Sequence, residues 1–84
     1  MNESRIRILV VDDHPVFREG VAAILQSQTD MTMVGEARNG SEAVDRHAAL
    51  QPDVTLMDLQ MPGMSGVEAI NTIRSQRPDA RIIA

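Results

Sequence analysis

The sequence predicts a parallel α/β sheet within one domain. Three observations carry that expectation. Short apolar runs alternate along the chain with segments of helical apolar spacing. The links between them are short, and strand–helix–strand units joined in this way pack as right-handed crossovers onto a parallel sheet. Acids stand directly after two of the apolar runs, at Asp12-Asp13 and at Asp58, where the binding crevice of an open α/β sheet forms.

Taken in order, Ile6 to Val11 is apolar apart from Arg7 and ends at Asp12-Asp13. A run of that kind predicts a strand buried on both faces. Pro15 suits the first turn of a helix. Phe17, Val21, Ile24 and Leu25 then fall on one helical stripe, and Thr29-Asp30 ends it. Met31 to Ala37 reads as a second strand. Asn39-Gly40-Ser41-Glu42 is a turn and helix start, followed by Ala43, Val44, Ala48 and Leu50 at helical spacing, and Pro52 stops that helix. Asp53 to Met57 is a third strand, ending at Asp58. Leu59 to Ser65 is a loop rich in Met, Pro and Gly. Ser65 with Glu68 fits a capping box, in which each side chain satisfies the other residue's free backbone N–H. Val67, Ile70 and Ile73 form a third helical stripe, stopped by Pro78. Arg81-Ile82-Ile83-Ala84 reads as the opening of a fourth strand. The expected sheet is therefore incomplete, ending in strand four.

Composition narrows the function. The 84 residues make at most one small domain, and an apolar share of 43% supports one modest core rather than disorder. No apolar run approaches the roughly 20 residues of a membrane helix. The N-terminal stretch leads into a short apolar run that ends in two aspartates, unlike a signal peptide, so the cytoplasm is the expected compartment. There is no cysteine, which excludes disulfides and thiolate metal sites. A net charge of −4 argues against this segment gripping nucleic acid by itself, and a lone aromatic residue, Phe17, rules out a base-stacking platform.

The acids are the informative residues. If strands one and three are neighbours, the carboxylates of Asp12, Asp13 and Asp58 converge in one crevice. Bare, three such charges repel, and a hard divalent cation resolves the conflict. Mg2+ takes one or two carboxylates, several waters and phosphate oxygens. That set suits phosphoryl transfer, with the metal neutralising charge while a carboxylate attacks. Taken alone, Asp12-Asp13 also reads as a pair of favourable charges before a helix, and Asp58 as a loop acid. Their joint occurrence at equivalent strand ends favours the shared site.

These residues carry a resemblance. Ile8-Leu9-Val10-Val11-Asp12-Asp13-His14-Pro15 resembles the first signature of bacterial receiver domains of two-component response regulators. Leu56-Met57-Asp58-Leu59-Gln60-Met61-Pro62-Gly63-Met64-Ser65-Gly66 resembles their phosphorylation-site signature. The spacing between the blocks matches as well, and the resemblance covers the whole chain. Asp13-His14-Pro15-Val16-Phe17-Arg18-Glu19-Gly20 further resembles the NarL/LuxR-like subgroup, whose members usually carry a C-terminal helix-turn-helix DNA-binding domain. The resemblance implies a CheY-like, flavodoxin-like fold, with residues 1–84 as a partial receiver domain lacking the end of strand four, strand five and the last helices.

It also implies roles. Asp58 accepts a phosphoryl group from the phosphohistidine of a sensor histidine kinase. Asp13 and Asp58 ligate Mg2+ directly, Asp12 acts through water, and Gln60 offers its backbone carbonyl. Pro62 and Gly66 shape the loop, Gly66 by adopting backbone angles that other residues avoid. DNA would be reached only through the helix-turn-helix domain, which these residues do not contain. Two family residues have no counterpart: a Ser or Thr ending strand four and a Lys ending strand five. The chain stops short of the first, and all eight of its basic residues are arginine.

Other features read more plainly. His14 reads as a helix-start residue, with a ligand or proton-shuttle role as the alternative. His47 reads as a surface residue. Met57, Met61 and Met64 read as gap fillers rather than a copper or redox site. Arg18 and Glu19 read either as a solvated helix face or as part of a kinase-docking surface. An exposed strand edge at Arg81 to Ala84 invites pairing with another chain. Two further function classes stay open. An aspartyl-nucleophile phosphohydrolase generally wants a second acid two residues after the nucleophile, where this chain has Gln60. A pseudo-receiver that is not phosphorylated is disfavoured by retention of Asp12, Asp13 and Asp58, yet it could describe a fragment without the Lys.

Overall fold

β1 (Ile6–Val11) forms the middle of the sheet in a computed structural model that describes residues 5–84. The N-terminal part of the stretch weighed as a signal peptide, residues 1–4, lies outside the described residues. The chain continues through α1 (Pro15–Gln26), β2 (Met31–Ala37), α2 (Gly40–Leu50), β3 (Val54–Met57), α3 (Gly66–Gln76) and β4 (Ile82–Ile83). All pairings are parallel and the strand order is β2-β1-β3-β4. The chain thus adopts the expected CheY-like arrangement, with strands one and three adjacent.

The continuous apolar run of β1 has a direct cause. Successive strand residues face opposite sides, and both sides of β1 are covered. Leu9 and Val11 pack with Ala37, Ala43, Met57, Met61, Ala69 and Ile73 on the side of α2 and α3. Ile8 and Val10 pack with Leu25 of α1 on the other. Arg7, the one charge in the run, donates from its guanidinium to the carbonyls of Leu50 and Gln51, both at 2.9 Å. Cationic donors suit the C-terminal carbonyls of a helix, so Arg7 closes the end of α2.

The helix starts follow the sequence closely. Pro15 occupies the first turn of α1. Asn39 caps α2, its side chain accepting from the Glu42 backbone N–H at 2.8 Å. Ser65 and Glu68 form the reciprocal capping box of α3, with bonds of 3.2 and 3.1 Å.

The helix faces differ from the predicted stripes. On α1 only Leu25 is buried, Val21 is half-buried, and Phe17 and Ile24 stand exposed. On α3 the buried line is Gly66, Ala69 and Ile73, while Val67 is exposed. On α2 the period that starts at Ala43 lands on His47 rather than Ala48, and His47 is buried at 4% exposure. The surface reading of His47 is therefore corrected. Apolar spacing marks a stripe, but the sheet covers only the part of the helix that faces it.

Candidate functional site

The strand ends bring the acids together through backbone hydrogen bonds. The Asp12 N–H donates to the Ala37 carbonyl at 3.0 Å, and the Asp58 N–H donates to the Val11 carbonyl at 2.9 Å. Each bond extends a parallel ladder one residue past its strand. Asp12 and Asp58 thus leave the sheet on the same rim, side by side, with Asp13 next in line. One ligand atom from each of Asp12, Asp13, His14 and Asp58 lies within 4.8 Å of the others.

Each acid has a distinct setting. Asp12 is buried, and its Oδ1 accepts from the His14 backbone N–H at 2.8 Å. That bond folds Asp12-Asp13-His14 into the turn that enters α1. The Asp13 Oδ1 atom is buried and, among the described residues, has no hydrogen-bond partner. Asp58 is half-buried, and its Oδ1 accepts from the Gln60 backbone N–H at 3.0 Å. Gln60 itself is exposed on the loop.

His14 stands over this group rather than simply starting the helix. Its Nδ1 is 2.7 Å from Asp12 Oδ1 and 3.1 Å from Asp13 Oδ1. The bond to Asp12, with the charges of Asp13 and Asp12 behind it, raises the imidazole pKa above its ordinary 6.5.

Arg18 supports the site in a way the sequence did not reveal. Its Nη1 donates to the Asp12 backbone carbonyl, with a donor–acceptor distance of 2.6 Å, and its Nε to Glu36 Oε1 at 2.7 Å. Glu36 lies in register with Val10 on the adjacent strand. The guanidinium therefore ties α1, the Asp12 turn and β2 together, and its side chain is only 16% exposed. The solvated-face reading of Arg18 does not hold. The signal was a cation one helical turn past the acid pair together with an acid near the end of the neighbouring strand.

The loop that follows Asp58 is fixed by close packing. A Cβ on Gly66 would sit 2.4 Å from the Asp58 carbonyl oxygen and 2.5 Å from the Leu59 Cα. Gly66 is required for space and not, as expected, for unusual backbone angles. The positive φ of this loop, 78°, belongs to Gly63. Met57 and Met61 fill the core beneath the loop.

A buried carboxylate oxygen without a donor is costly unless it meets a cation. Asp13 Oδ1 accepts no hydrogen bond and has the exposed His14 ring beside it at 3.1 Å, and the oxygen set it forms with the carboxylates of Asp12 and Asp58 fits a hard divalent ion.

Residues 8–84 match the family model described as the response regulator receiver domain. The chain belongs to that family. The receiver chain is 40% identical over 82 residues to the nitrate/nitrite response regulator NarL of Escherichia coli, a match that covers 98% of this chain and 38% of NarL. It superimposes on a LuxR-family two-component response regulator from Aurantimonas with a TM-score of 0.88 and 39% identity, over 94% of this chain and 56% of that one. It superimposes on the response regulator TrrA of Thermotoga maritima, solved in complex with Mg2+-BeF, with a TM-score of 0.83 and 39% identity, over 92% of this chain and 65% of that one. The receiver thus spans well under half of NarL. Among its described residues no helix is long and apolar enough to cross a membrane.

Proposed function

We propose that this receiver is the phosphoacceptor of a two-component system and that Asp58 takes the phosphoryl group from the phosphohistidine of a sensor histidine kinase. The P–N bond to the histidine breaks as a bond forms between phosphorus and a carboxylate oxygen of Asp58. The convergence of Asp58 with Asp12 and Asp13 on one rim of the sheet is the observation that carries this reading.

The residues divide the work. Asp58 Oδ1 is held by the Gln60 N–H, so the carboxylate is oriented while its other oxygen is left to attack. Asp12, Asp13 and Asp58, with the Gln60 carbonyl, would hold Mg2+, whose charge offsets that of the incoming phosphoryl group. The Mg2+-BeF bound to the similar TrrA supports this assignment. Arg18 holds the Asp12 turn, and Gly66 lets the loop close against Asp58.

In this reading residues 1–84 are the front part of one receiver domain, and the Ser or Thr and the Lys of the family belong to the remainder. The parent would be a cytoplasmic DNA-binding transcriptional regulator that reaches DNA through a separate helix-turn-helix domain. It would act as a signalling module rather than turn over phosphate, which agrees with Gln60 standing where a phosphohydrolase would have its second acid.

Incubation with acetyl phosphate and Mg2+, followed by intact-mass measurement, tests the proposal. The expected product is one added phosphoryl group, absent from Asp58→Asn and absent without Mg2+. Labelling that persists in Asp58→Asn would refute the assignment.

A further inference from the structure

The phosphoacceptor reading uses three carboxylates of the cluster and leaves His14 unassigned. We propose that His14 is a further ligand of the same cation site through Nδ1, and that it moves the site's preference from Mg2+ toward transition-metal ions such as Mn2+, Co2+ and Ni2+. This inference rests on the cation-site reading and adds to it a residue that sets which ion is held.

The geometry is direct. His14 Nδ1 is 2.7 Å from Asp12 Oδ1 and 3.1 Å from Asp13 Oδ1, and the second of these is a buried oxygen that accepts no hydrogen bond and meets the ring at ion-pair distance. All four side chains offer a ligand atom within a 4.8 Å span. The backbone of His14 is fixed by its own bond to Asp12 and by Pro15 at the start of α1. Its side chain is 70% exposed, so the ring can turn without disturbing the core.

The chemistry follows from ligand type. Mg2+ takes oxygen donors and keeps its waters, so a nitrogen at the rim gains it little. Imidazole suits the later first-row ions, whose affinity for a nitrogen-containing site rises from Mn2+ through Co2+ to Ni2+. When such an ion enters, Nδ1 loses its proton to solvent and its lone pair turns from the carboxylates to the metal. Three carboxylates without His14 would form an oxygen site of the ordinary hard-ion kind.

Isothermal titration of the purified protein with MgCl2, MnCl2, CoCl2 and NiCl2, repeated with His14→Ala and His14→Phe, reads the preference. The absorption spectrum of the Co2+-loaded protein reports nitrogen ligation independently. In both variants Ni2+ and Co2+ affinity is expected to fall by about tenfold or more, with Mg2+ affinity little changed and the Co2+ bands shifted. Equal affinities for every ion in wild type and variants, or an unchanged Co2+ spectrum, would overturn the role of His14 while leaving the cation site intact. Binding of no divalent ion by the wild type would overturn the cation-site reading itself, and this inference with it.

Discussion

The backbone N–H of Asp58 donates to the carbonyl of Val11 at 2.9 Å. One hydrogen bond past the end of β3 thereby sets Asp58 beside the Asp12 turn. The acids meet because two parallel strands end at the same height, with Val11 and Met57 directly in register. The three carboxylates repel one another, so the backbone ladder brings them together, with His14 and Arg18 as the cationic neighbours of the Asp12 turn.

The guanidinium of Arg18 should matter more than its place on a helix surface suggests. Arg18→Gln removes the donors to the Asp12 carbonyl and to Glu36. It is expected to cost about 1–2 kcal/mol of stability in urea unfolding, allowing for partial exposure, and to weaken Mg2+ binding. Glu36→Gln, at a half-exposed carboxylate, should cost less than about 1 kcal/mol. Arg18→Lys should recover little, because a single ammonium cannot reproduce the fork that reaches both partners. An Arg18→Gln protein with unchanged stability and Mg2+ affinity would show that Asp12 holds its position unaided.

Gly66→Ala places a methyl group against backbone atoms of Asp58 and Leu59. Neither can yield as a flexible side chain would. The expected loss is about 1–3 kcal/mol, with slower labelling of Asp58 by acetyl phosphate. Gly63→Ala should be destabilising for another reason, since its φ of 78° is strained for any residue with a Cβ.

Much of this site is legible in the sequence. Apolar runs that stop at acids mark the C-terminal ends of buried strands, and Ser65 with Glu68 marks a helix start, because those signals are local in the chain. What the sequence left unread depends on neighbours. Phe17, Ile24 and Val67 carry helical spacing yet stand exposed, because a stripe does not say how much of it is covered. His47 reads as a surface residue because no partner for it is in view along the chain, but its place one turn after Ala43 drives it inward. The link from Arg18 to Asp12 joins a helix face to a strand end, which no local pattern encodes. Gly66 announced itself as a special position, and only the approach of the Asp58 carbonyl shows the reason to be space.

Burial of His47 gives folding a pH dependence. Desolvation, reinforced by Arg77, lowers its pKa below the ordinary 6.5. The unfolded chain then takes up a proton near pH 6.5 while the folded chain does not. Stability should therefore fall as pH drops below about 6.5 and level off below the folded-state pKa. His47 shares a cavity of about 410 Å3 with Asp53, Asp79, Arg77 and Arg81. His47→Gln should flatten this part of the profile in urea titrations across pH. An identical slope in wild type and variant would place the titrating group elsewhere.

Thermal melting of wild type and Asp13→Asn, each with EDTA and with MgCl2, tests the shared cation site most directly. Linkage predicts that saturating Mg2+ raises the wild-type melting temperature, by the equivalent of about 2.7 kcal/mol at a hundredfold excess over Kd. In EDTA the Asp13→Asn protein should melt above the wild type, because one repelling charge is gone, and it should respond only weakly to Mg2+. A wild type whose melting point is the same in both buffers, or an Asp13→Asn protein that keeps the full Mg2+ shift, would contradict the account.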